Sequence, residues 1–394
     1  MTPATWLLIV MLEGGQTLEG EPTLEGGLTL EGGGTPEGEL TLEGASTLEG
    51  ERQNSPRVAM LEQAGWDALK AGQPAVAADA FKEAIALDPK NAALRMGAGM
   101  AASLRRHDAE AKAHFEQALI LDPKLSMARI QIAQINRRQG DLNAAIRELA
   151  IVAGELPGDA SVRELLARWT HERDLHDRMR LEVGDFFTVS FEGPEDEALA
   201  AQAIESLTKA YWRIGDLFNA YPTKSIAVVL YTREQFRDVT RSPQWAAAVY
   251  DGIIRVPMRG AGEKAEDLDR VLSHEFAHAL IRSLATRTLP TWLNEGLASV
   301  LESDDLGWAT HTLSKAGFMP SLARLTPPFA KMNGADAQLA YAASALAARR
   351  LLDEAGGVAV GNLLRDLGNG VDFETAFQRR IQKSLAEFEA ALGQ

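Results

Sequence analysis

Cysteine is absent from the 394-residue chain, which excludes disulfides and thiolate ligands and leaves His, Asp and Glu as the donors for any transition-metal site. Long apolar runs are missing too. A membrane span takes about 18 or more consecutive apolar residues, and the nearest stretch, "WLLIVML" at residues 6 to 12, is far shorter. It is similar to the core of a signal peptide, but no basic residue precedes it and no small-x-small cleavage pattern follows it. The compartment, cytoplasmic or exported, stays open. Positive charge is also scarce: 40 Lys and Arg face 55 Asp and Glu, for a formal charge of -15. That balance speaks against nucleic acid as a partner, since neutralisation of phosphates by Lys and Arg supplies most of the non-specific attraction. The deficit is local, because residues 1 to 51 hold ten Glu and no Lys, Arg or Asp.

What is present is enough for a sizeable core. The chain is 46% hydrophobic and 24% charged, which suits two or three folded domains. Residues 11 to 52 read as seven hexapeptides of the type "TLEGEP" and "TLEGGL". A hexapeptide β-helix spends about three units per coil, so seven units make too small a core. Dense Gly and Glu with one Leu per unit favours a disordered acidic tail over residues 1 to 54, and a tandem DNA repeat read through from upstream is the alternative.

At Ser55-Pro56 a cap residue followed by Pro signals a helix start. A longer repeat then begins. Gly65, Ala77, Phe81, Ala84 and Pro89 return 34 residues later as Gly99, Ala111, Phe115, Ala118 and Pro123. A third copy keeps Ala145 and Pro157, with Leu149 and Val152 at the packing positions. This period and these positions resemble the tetratricopeptide repeat over residues 58 to 159. Residues 160 to 178 read as a capping helix, closing a region of residues 55 to 180. The resemblance implies a protein partner bound through the repeats. "RRH" at 105 to 107 and "NRR" at 136 to 138 could grip acidic groups or be solvated helix ends.

From residue 184 the pattern is mixed. Alternation marks a strand at "FFTVSFEG" (186 to 193), a helix is expected from Asp196 to Asn219, and "SIAVVLY" (225 to 231) reads as a buried strand. "VYDGIIRVP" (249 to 257) reads as one further strand, with Asp251, Ile253 and Arg255 on one face, either lining a cleft or serving as ordinary sheet. From Asp267 onward the chain reads as helix, giving an α+β domain with a helical C-terminal lobe.

"HEFAH" at 274 to 278 spaces two histidines four apart. On a helix they project from one face about 6 Å apart, and Glu275 lies one position round. Two imidazoles with an adjacent carboxylate are the H-E-x-x-H arrangement. Taken alone, the pair also fits an exposed helix face. A catalytic zinc requires a third protein ligand and one open position, and "PTWLNEGLASVLE" at 290 to 302 offers Glu295.

"HEFAH" followed by "WLNEGLA" resembles the gluzincin metallopeptidases, and together with the repeats it is more similar to bacterial peptidase MA-like proteins, over roughly residues 184 to 360. The G-x-M-E-N segment by which the related aminopeptidases recognise a free amine is missing, and "YDGIIRVP" stands in its place. The resemblance implies a tetratricopeptide solenoid followed by an α+β gluzincin-like zinc metallopeptidase domain spanning 184 to 394. It implies one Zn²⁺ per chain on His274, His278 and Glu295, with Glu275 as general base and a peptide or protein as substrate. Tyr341, in "LAYAASALAARRLL", is the candidate oxyanion donor, with a core aromatic as its plain alternative. His311 is a weaker candidate, and Ser299 or Glu302 could orient a ligand histidine. His171 and His176 lie five apart, off a common helical face, and read as surface residues. The competing reading of the whole is a catalytically inactive scaffold that binds protein partners.

Overall fold

The computed structural model describes residues 45–193, 196–240, 248–257, 265–285, 289–326, 329, 332 and 334–392. "WLLIVML" and the hexapeptides before residue 45 lie outside them. The described chain is mostly helical, with sixteen α-helices and one small mixed sheet of five strands. None of these helices is long and apolar enough to cross a membrane. The chain divides into two compact units between Ala167 and Arg168.

The first unit is built of helices that follow one another at short turns: α1 (Ala45–Lys70), α2 (Pro74–Leu87), α3 (Ala92–Leu104), α4 (Asp108–Leu121), α5 (Ser126–Arg138), α6 (Leu142–Glu155) and the opening half of α7 (Ala160–His176). Local chemistry sets the starts. Pro74 occupies the first turn of α2, Asn91 caps the amides of Ala93 and Leu94, and Asp141 caps Ala144. Phe81 and Phe115, both fully buried, supply the bulk. The ring of Phe81 fills the space that a Cβ on Gly65 or Gly97 would occupy, and Phe115 does the same at Gly99. A large ring set into gaps left by missing side chains is why Gly and Phe recur together at one period. One boundary departs from expectation. Helix α1 begins at Ala45 and carries Pro56 inside it, so Ser55-Pro56 is not its start. Lacking an amide hydrogen, Pro56 forfeits the bond to the carbonyl four residues back, and residues 45 to 54 belong to the helix and not to the tail.

The second unit takes in the rest of α7, then β1 (Arg180–Val183), β2 (Phe187–Phe191), α8 (Glu197–Phe218), β3 (Ile226–Tyr231), α9 (Arg233–Thr240), β4 (Val249–Tyr250) and β5 (Ile254–Pro257). Helices α10 (Ala265–Leu284), α11 (Thr291–Glu302), α12 (Gly307–Ala316), α13 (Gly334–Ala355), α14 (Gly357–Gly368), α15 (Phe373–Ile381) and α16 (Leu385–Leu392) complete it. The strand order is β1-β2-β3-β5-β4, with β2, β3 and β5 parallel and the outer two antiparallel to their neighbours. Period-two alternation sorts the side chains into two layers. Phe187, Val189, Val228, Leu230, Ile254 and Val256 enter the main core with Phe276 and Leu280 of α10. Val229 and Tyr231 face the other way, into a smaller cluster with Leu175 of α7 and Phe236 and Val239 of α9. "VYDGIIRVP" is two strands rather than one: Gly252, at φ +113°, turns the chain between β4 and β5, a conformation open to a residue without Cβ.

Candidate metal centre

Helix α10 is pinned by its apolar stripe. Leu272, Phe276, Ala279 and Leu280 are buried against the sheet and α8, and this fixes the rotation that sets His274 and His278 one above the other. Helix α11 follows Pro290, with Trp292, Leu293, Leu297 and Ala298 buried. Between two of those anchors stands Glu295. Gly296 permits the next contact, because a Cβ there would collide with the main-chain carbonyl of Ser344. The backbones of α11 and α13 therefore meet directly, and this crossing carries Tyr341 toward Glu295. Tyr341 lies well inside α13, which starts at Gly334.

The structure brings the three expected donors together. His274 Nε2 lies 3.2 Å from His278 Nε2, and Glu295 Oε2 lies 3.9 Å from the former and 3.6 Å from the latter. The three residues are the His/Asp/Glu group among the described residues with the convergence of a cation site. Zinc bonds of about 2.0–2.1 Å at tetrahedral angles separate neighbouring donor atoms by roughly 3.3 Å. The observed spacings fit that cradle, and two imidazoles with one carboxylate suit zinc.

The far side of each imidazole is held. His274 Nδ1 bonds Glu302 at 3.1 Å, and Glu302 in turn accepts from Arg270 at 2.8 Å. His278 Nδ1 bonds Asn294 Oδ1 at 3.2 Å, and the Asn294 amide donates to Glu295 Oε1 at 3.2 Å. These bonds place the Nδ1 protons outward and leave both Nε2 atoms for a common partner. Of the two orienting candidates on α11, Glu302 has the role, while Ser299 is buried in the helix. The part played by Asn294 is one that sequence reasoning did not assign. Its adjacency to a ligand residue was the available signal.

Electrostatics at the centre is dominated by burial and crowding of carboxylates. Burial alone would depress His274, but the Glu302 bond and the charges of Glu275, Glu295 and Glu302 outweigh it and hold the imidazole at about 9. His278 is lowered by burial, against the pull of Glu295. Glu275 is 6% exposed, and its Oε2 has no hydrogen-bond partner. Burial lifts this carboxyl to about 7; His274 opposes the lift, and Glu295, Glu302 and Asp251 add to it. Burial, with the carboxylates of Glu295 and Glu275 nearby, raises Tyr341. Phe329 packs edge-on against its ring at 5.2 Å.

Other sequence candidates fall elsewhere. His311 is exposed, on α12. His171 is exposed as expected, but His176 is half-buried and bonds the Tyr231 hydroxyl at 2.6 Å. Asp251 bonds the guanidinium of Arg255. Ile253 packs into the smaller cluster behind the sheet, and Arg255, set between core-facing Ile254 and Val256, is buried on that same side. No protein-family model matches the chain, and no curated protein matches it significantly.

Proposed function

We propose that this chain is a zinc-dependent metallopeptidase of the gluzincin, peptidase MA-like kind, in which tetratricopeptide repeats hold a protein partner. The observation that carries the reading is the convergence of His274, His278 and Glu295 beside a buried carboxylate, Glu275, with an unpartnered oxygen. His274 and His278 would hold the ion through Nε2, and Glu295 through Oε2. A bound Zn²⁺ supplies Lewis acidity, polarising a scissile carbonyl and making water a nucleophile near neutral pH.

The residues of the chain do the rest. Glu275, held at about 7, is tuned to take a proton from the attacking water and deliver it to the departing amine. Tyr341 stays protonated and serves as a donor, not a base, toward the oxygen on which negative charge develops. Glu302 and Asn294 keep the two imidazoles turned so that Nε2 faces the reacting centre. Beside them runs the edge strand β4. The Tyr250 ring lies 5.8 Å from the guanidinium carbon of Arg282, which is one turn beyond His278 on α10. An edge strand at that place suits an extended peptide bound by main-chain pairing. The Gly–Phe packing and the 34-residue period support the tetratricopeptide reading of the first unit.

The test compares the full chain with Glu275→Gln on a quenched peptide library, with zinc measured in both. Expected are one zinc per chain in each and turnover reduced about 10²–10⁴-fold in the variant. A zinc-loaded wild type that is no faster than Glu275→Gln on any peptide would establish the inactive scaffold instead. A chain that takes up no zinc would remove the metal reading itself.

A further inference from the structure

A buried ionic cluster lies behind the sheet. Arg255 and Glu172 are each 1% exposed, with Arg255 Nη1 2.8 Å from Glu172 Oε1. The same nitrogen donates to the Tyr231 hydroxyl at 2.7 Å, and Arg255 Nε lies 3.1 Å from both oxygens of Asp251. Tyr231 then turns its proton toward His176 Nε2. Two carboxylates and a phenol thus surround one guanidinium in a layer otherwise made of Leu175, Val229, Phe236 and Val239. Apolar side chains would hold such layers together without the cost of desolvating ions, so a buried charge cluster is poor glue and serves to fix one arrangement.

What it fixes is the β4–β5 hairpin. Strand β4 has only two residues, too few to hold its place alone. Its Val249 pairs with Arg255 and its Tyr250 with Ile254. Arg255 therefore holds the edge strand twice, by main-chain register to Val249 and by side chain to Asp251 in the turn. Arg255 is itself anchored by Glu172, a residue of α7 that precedes the region of peptidase resemblance.

We propose that Glu172 is a positioning residue for peptide binding: through Arg255 it fixes the edge strand Val249–Tyr250 on which an extended substrate pairs. This rests on the peptidase reading. Glu172→Gln keeps the volume and removes the charge. It should raise KM for a quenched peptide about tenfold, with kcat changed by less than about twofold and zinc content unchanged. Backbone amide exchange should quicken at residues 249–253 and stay slow in α10. Glu172→Asp, which keeps the charge on a shorter arm, is the second variant should Glu172→Gln fail to fold, with a smaller KM rise in the same direction expected. KM unmoved in an active enzyme, or zinc, kcat and α10 protection all falling with it, would overturn the inference and leave Glu172 merely structural. A wild type inert toward every peptide would take down the peptidase reading and this inference together, whereas an active wild type with unmoved KM takes down this inference alone.

Discussion

On the proposed metal reading, a proton and a metal ion would compete for the Nε2 of His274, with Glu302 setting the outcome. Its bond and charge, with Glu275 and Glu295, outweigh burial and raise the folded-state value to about 9 from 6.5. A raised histidine contributes stability that is fully present below 6.5 and is lost as pH climbs through 9. Glu275 acts in the same direction over a lower window: its carboxyl is lifted from 4.5 to about 7, so the folded state holds a proton that the unfolded chain has released, and stability falls as pH rises between those values. The chelator-treated protein should therefore melt at steadily lower temperature from pH 6.5 to 9. Zinc affinity should move the opposite way, rising up to about tenfold per pH unit for the one proton displaced. Thermal scans with excess chelator and zinc titrations in buffers of differing ionisation heat check both halves. The pairing of His274 with His278 was legible in the sequence, because i, i+4 spacing is local geometry, and the structure brings Glu295 to them. The histidines' outer partners were less so, since Glu302 and Asn294 reach them from another helix and only the fold decides which polar residue of α11 faces which imidazole.

At the scale of elements, the crossing of α11 and α13 at Gly296 carries the site. A methyl group there would meet the Ser344 carbonyl, which is main chain and cannot rotate away. Gly296→Ala should destabilise the second unit by about 1–3 kcal/mol and weaken zinc binding, since the adjoining Glu295 must shift with its helix. Differential scanning and zinc titration of the variant measure this. Helix α8 was readable almost to the residue, flanked as it is by Asp196 and by Asn219 in a left-handed conformation. "VYDGIIRVP" was misread because its β-branched run looks continuous, while Gly252 breaks it. The Ser55-Pro56 signal misled in the other direction: a good helix start was overridden by a helix already under way. Strand β1 escaped notice because it is only four residues long and owes its existence to pairing with β2.

At the scale of the whole chain, the second compact unit begins at Arg168, inside α7. A fragment starting there should fold and bind one zinc. One starting at Gly184 loses Glu172, Leu175 and His176, leaves Arg255 charged and short of a partner, and should be less stable by about 3–5 kcal/mol; zinc stoichiometry and melting of the two fragments decide it. That boundary was hidden from sequence reading because the capping helix read over residues 160 to 178 continues across it, and the partner of Glu172 stands 83 positions downstream. The donor set has a further consequence. On the zinc reading, imidazole and carboxylate would be the only protein donors, and with no cysteine in the chain oxidants would have no thiolate ligand to attack. Such a cradle would also take cobalt, nickel or copper by their ordinary order of affinity, so the ion found in it would be decided by the surroundings' supply of metals as much as by the protein.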